Sequence, residues 1–273
     1  MSLNRTLTVT LAASALILAA CGSSGEGGTD AGDGQTAAGD SAYGLAKDGV
    51  LVVGTEGTYR PFSYHEGGSG ELVGYDIEVV EAVAEKLDLD IEYQETQWDA
   101  IFAGLEAGRF DVIANQVSIN PEREEQYLFS EPYTVSPGVI VVANDTTDIT
   151  GLADLEGKTT AQSLTSNWGT IATGAGANVE AVEGWAQSVA LLEQGRVDAT
   201  VNDKLTFLDY TTVNPDSPVK IAAELDEASL NAFAFGKDKT ELVAAFDEAL
   251  AELEADGTLA ELGEKYFGAD VSN

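Results

Sequence analysis

Short apolar runs alternate along the chain with longer segments in which apolar residues recur every three or four positions. The run of four apolar residues at 50–53 predicts a buried strand. The next segment predicts a helix with Asp76 as its N-cap. Its apolar positions are Ile77, Val80, Val83, Ala84 and Leu87. A strand followed by a helix is therefore predicted at the start of the folded part.

The same alternation continues to the end of the chain. Further strands are predicted at 90–94, 111–114, 138–142, 158–162, 178–182, 197–201 and 232–235. Helices are predicted at 98–106, 166–173, 187–194, 204–210, 238–255 and 258–266. This order is typical of an α/β fold with mostly parallel sheets, and two series of similar length predict two lobes. Ligands of such folds bind at the carboxyl ends of the strands, so a cleft between the lobes is the expected site.

The first 43 residues differ from the rest of the chain. An apolar run from Leu7 to Ala20 follows Arg5, the only charged residue before it. The run is shorter than the ~20 residues that span a bilayer. This pattern predicts a signal peptide over residues 1–20. The segment 21–43 is rich in glycine, serine and acidic residues, which predicts a flexible tether.

The end of the apolar run carries a second signal. Its last residues, Leu-Ala-Ala before Cys21, resemble the lipobox of bacterial lipoproteins. The resemblance implies that Cys21 is lipidated and holds the protein at the outer face of the cell membrane. The alternative for Cys21 is a buried core cysteine.

Composition narrows the classes of partner. The chain has 13 basic and 47 acidic residues and a net charge of −34. Phosphates would be repelled, so nucleic acid is excluded as a partner, and peripheral binding to anionic lipid is disfavoured. Cys21 is the only cysteine, so the fold is expected to rely on its core rather than on disulfides.

The sequence contains few residues that could carry out catalysis. His65 is the only histidine, so serine–histidine–acid catalysis and histidine metal sites have little to build on. We therefore expect a protein that is not an enzyme, with no metal and no cofactor. Carboxylate pairs are so frequent that none stands out, and an acid–base pair of the glycosidase kind stays open.

A resemblance to a known family is carried by four motifs and the end of the chain: 54–62, 74–76, 115–133, 195–203 and 255–268. From about residue 45 to 271 the chain resembles the polar amino-acid family of solute-binding proteins for ABC importers. Its cystine-binding branch is the most similar, through 114–118, 161–167, 202–210 and 267–271.

The resemblance implies a two-lobed, periplasmic-binding-protein-like fold of type II, each lobe a mostly parallel sheet flanked by helices. Lobe 1 would comprise 44–137 and 231–273, lobe 2 would be 138–230, and the hinge would lie near 133–139 and 225–232. It implies a monomer that captures a polar amino acid, with cystine favoured, and delivers it to a membrane permease. Glutamine and glutamate stay open as ligands. A sensory ligand-binding module and an exported enzyme of the cyclohexadienyl dehydratase kind stay open as classes.

Two charged residues are the main candidates for the site. An amino acid is a zwitterion, and burying either of its charges unpaired costs several kcal/mol. By motif position, the resemblance assigns the ligand carboxylate to Arg123, whose guanidinium matches it bidentately, and the ammonium to Asp203. It also assigns a hydroxyl contact to Ser118. The residues alone leave open a surface Arg123 paired with neighbouring glutamates, and Asp203 as the N-cap of the next helix.

Five further residues are expected to form the walls of the site. Thr165 and Ser166 start a predicted helix whose free N–H groups favour an anion, although N-capping alone would also explain them. The resemblance assigns Tyr59 and Trp98 to aromatic positions that enclose the ligand side chain, and packing on the core is their alternative. Gln116 stands where many relatives have glycine, and its backbone carbonyl is expected to accept from the ammonium.

Overall fold

The structure is a computed structural model in which residues 42–272 are described; the predicted signal peptide, Cys21 and nearly all of the predicted tether lie outside them. The strands are β1 Val50–Thr55, β2 Thr58–Tyr59, β3 Ser63–His65, β4 Leu72–Val73, β5 Asp90–Glu95, β6 Val112–Ser118, β7 Leu128–Phe129, β8 Thr134–Ala143, β9 Thr159–Gln162, β10 Asn178–Ala181, β11 Ala199–Asp203 and β12 Val219–Phe235. The helices are α1 Tyr75–Lys86, α2 Trp98–Glu106, α3 Pro121–Glu124, α4 Asn167–Gly174, α5 Trp185–Glu193, α6 Lys204–Val213, α7 Thr240–Asp256 and α8 Thr258–Phe267. None of these helices is long and apolar enough to cross a membrane.

The main sheet has the strand order β10-β9-β11-β8-β12-β6-β1-β5, and the short β7 also pairs with β12. At one end β5 and β6 lie parallel to β1, and at the other end β10 and β11 lie parallel to β9. The two middle strands, β8 and β12, pair antiparallel with each other and with their neighbours. Parallel strands connected through helices at both ends of the order are the α/β arrangement that the sequence predicts.

The two middle strands are longer than predicted. β12 pairs with β8 from Val219 to Asn231 and with β6 from Asn231 to Phe235, so it runs from one end of the sheet into the other. Its register shifts between Glu224 and Ala228. The sequence predicted only 232–235 because these residues are fully buried, whereas 220–231 are mostly half-buried or exposed and form no apolar run.

The start of α1 differs from the prediction. Gly74, not Asp76, is the N-cap, and Asp76 is a buried residue of the first turn. Gly74 has a φ of +140°, and a Cβ at this position would lie 2.1 Å from the carbonyl oxygen of Phe62. Only glycine therefore allows the loop at 61–62 to pack directly on the start of α1.

Each end of the sheet has its own core. Near the C-terminal helices, Tyr133 and Phe233 stack with ring centroids 4.4 Å apart, and Phe246 of α7 packs edge-on against Phe233. At the other end, α5 and α6 pack on the strands through Trp185 and Phe207. The site described next lies between these two cores.

Candidate functional site

A cavity of about 370 Å³ opens where strands from both ends of the sheet finish. Its walls come from residues at or just beyond the carboxyl ends of β1, β9 and β11, from the second half of β6, and from the first turns of α2, α4 and α5. The polar and aromatic residues lining it include Glu56, Thr58, Tyr59, Gln97, Trp98, Asn115, Gln116, Gln162, Ser163, Ser166, Asn167, Trp168, Glu183, Trp185, Gln187 and Asn202. The cavity therefore lies at the strand ends where a ligand of an α/β fold is expected.

Half of the eight predicted ligand-binding residues line this cavity: Tyr59, Trp98, Gln116 and Ser166. The hydroxyl of Tyr59 donates to Asn202 Oδ1 at 3.0 Å and accepts from Thr206 Oγ1 at 3.1 Å. Tyr59 belongs to β2, whereas Asn202 and Thr206 belong to β11 and α6. These two hydrogen bonds therefore hold the Tyr59 ring in place against β11 and α6.

Arg123 lies beside the cavity and is 8% exposed. Its guanidinium donates to the backbone carbonyls of Ser118 at 2.9 Å and of Thr165 at 3.4 Å. It also lies over the rings of Trp98 and Phe102, with its central carbon 5.3 and 5.2 Å from their centroids. Burial disfavours the charged form and lowers the pKa of Arg123 to about 10.

Arg123 forms no ion pair with a carboxylate within residues 42–272, although the negative charge of its sequence neighbour Glu122 acts on it. The arginine ion pairs in this range are those of Arg60 with Asp209 and of Arg196 with Glu180. The surface alternative, in which Arg123 pairs with glutamates of its own segment, is therefore not what the structure shows. A buried cation without an ion pair is an unusual feature in a chain of net charge −34.

Asp203 is a buried carboxylate, as Arg123 is a buried cation. It is 2% exposed, and its carboxylate accepts from Ser136 Oγ and from the backbone N–H of Leu205, both at 2.7 Å. Burial raises its pKa to about 6. The bond to Leu205 makes Asp203 the N-cap of α6, as the alternative interpretation has it, but one cap does not neutralise a buried carboxylate. No lysine or arginine of the described chain forms an ion pair with it.

Three of the candidates, Ser118, Thr165 and Ser166, take part in hydrogen bonds within the chain. Ser118 donates to Asn231 Oδ1 at 2.9 Å and lines a second cavity of about 700 Å³. Thr165 donates its hydroxyl to Asp99 Oδ1 at 2.6 Å. Ser166 caps α4 by accepting from the N–H of Gly169 at 3.0 Å. The structure brings these residues around Arg123 and the cavity, and their contact with a ligand stays a prediction.

Gln116 is held in an uncommon conformation. Its φ is +48°, a region that favours glycine. The N–H and the side-chain amide of Gln116 donate to the two carboxylate oxygens of Asp76 at 2.6 and 2.7 Å. This clamp explains how a residue other than glycine occupies the position. Burial raises the pKa of Asp76 to about 7.

Several residues that line the cavity were not predicted from the sequence. Glu56 accepts from Asn115 Nδ2 at 2.6 Å, and burial raises its pKa to about 7. Trp168 and Trp185 stand in the first turns of α4 and α5. Glu56 follows β1 directly, where ligands of α/β folds bind, but carboxylates are so frequent in this chain that this position alone does not single it out. The tryptophans carry no such signal, because nothing in the sequence tells a core tryptophan from one that lines a cavity.

Arg60 pairs with an aspartate of α6. Its side chain is 43% exposed and forms two hydrogen bonds with the carboxylate of Asp209, at 3.1 and 3.2 Å. Arg60 therefore connects the loop after β2 with α6.

We expect the ligand-free protein to be more stable at pH 5 than at pH 7.5. Burial raises the pKa values of Glu56 and Asp76 to about 7 and of Asp203 to about 6. Between their ordinary values and these raised values, the folded state binds more protons than the unfolded state. The stability from these groups is thus complete below about pH 4 and is lost as the pH rises towards 7. For each group, every unit by which folding raises the pKa corresponds to about 1.4 kcal/mol of stability that is lost once the pH exceeds the raised pKa.

Thermal melts between pH 4.5 and 8 test this expectation. Repulsion within a chain of net charge −34 acts in the same direction, so the series is run in 0.5 M salt, where surface charges are screened. The variant Glu56→Gln removes one titrating group and should reduce the slope. A melting temperature that is constant or rises from pH 5 to 7.5 would contradict the raised pKa values.

Within residues 42–272 no group of three or more histidine, cysteine, aspartate or glutamate side chains is arranged to hold a metal ion. The donors around the cavity are instead amides, hydroxyls, indoles and carboxylates, with one buried guanidinium beside them. Such a set matches the ammonium and carboxylate groups of a small polar molecule.

Comparisons with known proteins agree with this chemistry. The model of the family described as bacterial extracellular solute-binding proteins, family 3, matches residues 51–269. The chain is 47% identical to the L-cystine-binding protein TcyA of Bacillus subtilis (strain 168) over 266 residues, which cover 97% of this chain and 98% of the relative.

Two solved structures resemble the fold. The crystal structure of the L-cystine solute receptor of Neisseria gonorrhoeae, in the unliganded open conformation, has 52% identity and a TM-score of 0.57, covering 82% of this chain and 95% of the other. An ancestral arginine-binding protein bound to arginine has 36% identity and a TM-score of 0.75, covering 81% of this chain and 99% of the other. Together with the family model, which matches most of the sequence, these similarities show that the chain belongs to family 3 of the bacterial extracellular solute-binding proteins.

Proposed function

We propose that this protein captures cystine in the cleft between two lobes and delivers it to the membrane permease of an ABC importer. The observation that carries the proposal is Arg123, a cation that is nine-tenths buried and forms no ion pair with a carboxylate among the described residues. Its planar guanidinium fits the carboxylate of an amino acid bidentately. A bound ligand would supply the missing negative charge.

Asp203, at the end of β11, supports the same proposal. It is a buried carboxylate without a cation, and the ammonium of an amino acid would neutralise it. Because a zwitterion carries both charges, one ligand would satisfy Arg123 and Asp203 together. A ligand with only one of the charges would leave a buried ion unpaired, at a cost of several kcal/mol.

Cystine is favoured among the amino acids by the relatives and by the absence of thiols. Two of the relatives are L-cystine-binding proteins, from Bacillus subtilis and, at 35% identity, from Escherichia coli (strain K12). Cystine contains a disulfide, and a free thiolate near the site would attack it. Cys21 is the only cysteine of the chain, and we propose that it is lipidated, so no thiol remains to react with the ligand.

Several contacts support capture by closure of the lobes. Tyr59 is hydrogen-bonded to Asn202, Arg60 pairs with Asp209, and Thr165 bonds Asp99. In each pair one partner belongs to proposed lobe 1 (44–137 and 231–273) and the other to proposed lobe 2 (138–230). The TM-score is higher to an arginine-bound protein than to the more similar receptor in its open conformation, as a closed arrangement would give. Such closure is the usual motion of periplasmic binding proteins.

The remaining parts of the proposal concern location and assembly. We propose that residues 1–20 are a signal peptide, that lipidated Cys21 anchors the protein to the outer face of the cell membrane, and that 21–43 is the tether. The receptor would act as a monomer and would make or break no bond in its ligand. Mass spectrometry of the membrane fraction, before and after removal of thioether-linked lipid, would test the anchor.

Isothermal titration of the protein without its first 43 residues tests the ligand. Cystine, glutamine, glutamate, arginine and histidine are titrated in parallel, and cystine is expected to bind most tightly. A ligand at 100 times its Kd stabilises the folded state by about 2.7 kcal/mol, so thermal melts provide an independent readout. If no amino acid of the panel binds or raises the melting temperature, the proposed function is wrong.

A further inference from the structure

Strand β6 contains a bulge where it passes the cavity. Its residues 114–116 lie opposite a single residue of β12, Phe233. Neighbouring residues of a regular strand point to opposite faces of the sheet, but Asn115 and Gln116 both line the cavity. Bulges redirect side chains in this way and are common beside functional sites. The bulge therefore shapes this wall of the cavity.

The backbone of the bulge is in a conformation that suits glycine better than the residue present. Gln116 has a φ of +48°, a region that glycine enters freely and that few other residues adopt. Such a conformation persists only where the surrounding structure enforces it. The shape of the bulge therefore depends on the contacts that hold Gln116.

Asp76, in the first turn of α1, holds the backbone of Gln116. Its two carboxylate oxygens accept from the N–H and from the side-chain amide of Gln116, at 2.6 and 2.7 Å. The side-chain amide also donates to Thr134 Oγ1 at 3.1 Å, but the bond to the backbone N–H comes from Asp76 alone. This contact joins α1 to β6 over 40 positions of the sequence.

Asp76 is an expensive residue to bury. It is completely inaccessible to solvent, and none of the ion pairs among the described residues includes it. A buried carboxylate without a cation is tolerated only when hydrogen bonds compensate it, and both of its oxygens bond Gln116. A hydrophobic residue in the first turn of α1 would serve the core without this cost, so the carboxylate has a role beyond packing.

We propose that Asp76 is a positioning residue of the amino-acid site. It does not line the cavity and acts through Gln116, whose conformation it fixes. Without this clamp Gln116 would relax towards a negative φ, and its carbonyl would change direction. The inference rests on the proposed function and on the predicted contact between the Gln116 carbonyl and the ligand ammonium, and it extends the site to a residue behind the cavity wall.

Glycine at position 116 separates positioning from a purely structural role. Glycine adopts a positive φ without a clamp, so Asp76 should affect binding only while residue 116 has a side chain. Asp76→Ala, Gln116→Gly and the double variant are made in the full chain and titrated with the tightest-binding amino acid of the panel, expected to be cystine. We expect Asp76→Ala to raise Kd at least about tenfold when Gln116 is present and less than about threefold when it is replaced by glycine.

Asp111→Ala is the matched control for a general loss of stability. Asp111 is also a buried aspartate, and its carboxylate accepts from the backbone N–H groups of Ala46 and Val52 at 3.0 and 3.1 Å. It lies outside the cavity lining, so its loss should lower the melting temperature and leave Kd unchanged. Asp76→Asn keeps one acceptor for the Gln116 N–H. If Asp76→Ala does not fold, the cycle is repeated with Asp76→Asn, for which a rise in Kd of about threefold is expected with Gln116 and none with glycine.

Two outcomes would overturn the inference. An equal rise in Kd in both backgrounds would show that Asp76 does not act through Gln116. An unchanged Kd in the Asp76 variants with Gln116 present, together with a lower melting temperature, would show that Asp76 only stabilises the start of α1. In both cases amino-acid binding by the unaltered protein leaves the proposed function standing. If the unaltered protein binds no amino acid of the panel, the proposed function itself is wrong.

Discussion

Arg123→Ala is expected to abolish measurable amino-acid binding and to leave the protein folded. Truncating one partner of a buried charge pair costs about 2–5 kcal/mol of binding free energy, which corresponds to at least about a 30-fold rise in Kd. The folded state should tolerate the change, because no carboxylate of the described residues would lose an ion-pair partner. Burial also disfavours the charged form of Arg123 and lowers its pKa to about 10, so the charge itself adds little to stability. Isothermal titration with the best ligand of the panel measures the loss.

Two controls separate the carboxylate contact from general damage. Arg123→Lys keeps the charge without the planar fork, so its affinity should lie between those of the unaltered protein and Arg123→Ala. Arg196→Ala removes an exposed arginine that pairs with Glu180 and should bind normally. Retained affinity in Arg123→Ala, with an unchanged melting temperature, would remove Arg123 from the site.

Gly74→Ala is expected to destabilise the folded state by at least about 3 kcal/mol, a magnitude reserved for a few mechanisms such as strain at a special backbone position. The φ of Gly74 is +140°, and the new Cβ would lie 2.1 Å from the Phe62 carbonyl oxygen and 2.8 Å from the N–H nitrogen of Ser63. The neighbouring atoms are backbone, so they cannot rotate away. For a protein of this size the melting temperature should fall by about 6–12 °C.

Gly108→Ala is the matched control for the clash. Gly108 also has a positive φ, +64°, but an added Cβ would have nothing within 4 Å. Its substitution should cost only the conformational penalty of about 1–2 kcal/mol. Equal melting temperatures for the two variants would show that the backbone at 61–62 shifts to relieve the clash. That result would contradict a rigid contact between this loop and α1.

Most helices and strands were predictable because their own residues carry a strong pattern. Trp98–Glu106 was predicted with both bounds correct, and α8 differs from its prediction by one residue. The start of α1 was not predictable by the same reasoning. An aspartate next to an apolar period is a common N-cap, but here Asp76 is directed inward to Gln116, and the contact that decides this lies 40 residues away.

Four of the predicted site residues, Tyr59, Trp98, Gln116 and Ser166, line the cavity, whereas the physical state of the charged candidates was not predictable. Motif positions were enough to single out Arg123 and Asp203. Their burial without opposite charges depends on packing against Trp98, Thr165 and Ser136, which lie at distant positions in the sequence. Glu56 was missed because carboxylates are so frequent in this chain that one more after a strand carries little information. The start of α5 was predicted two residues too late, at 187 instead of Trp185.

The passage of β12 from β8 to β6 has a consequence for the cooperativity of unfolding. Neither end of the sheet is a closed unit, because removing one end would leave β8 or β12 with unpaired backbone groups along an edge. The described chain should therefore melt in a single transition, with equal calorimetric and van't Hoff enthalpies. Ligand binding between the two ends would then raise the melting temperature of the whole molecule rather than that of one part.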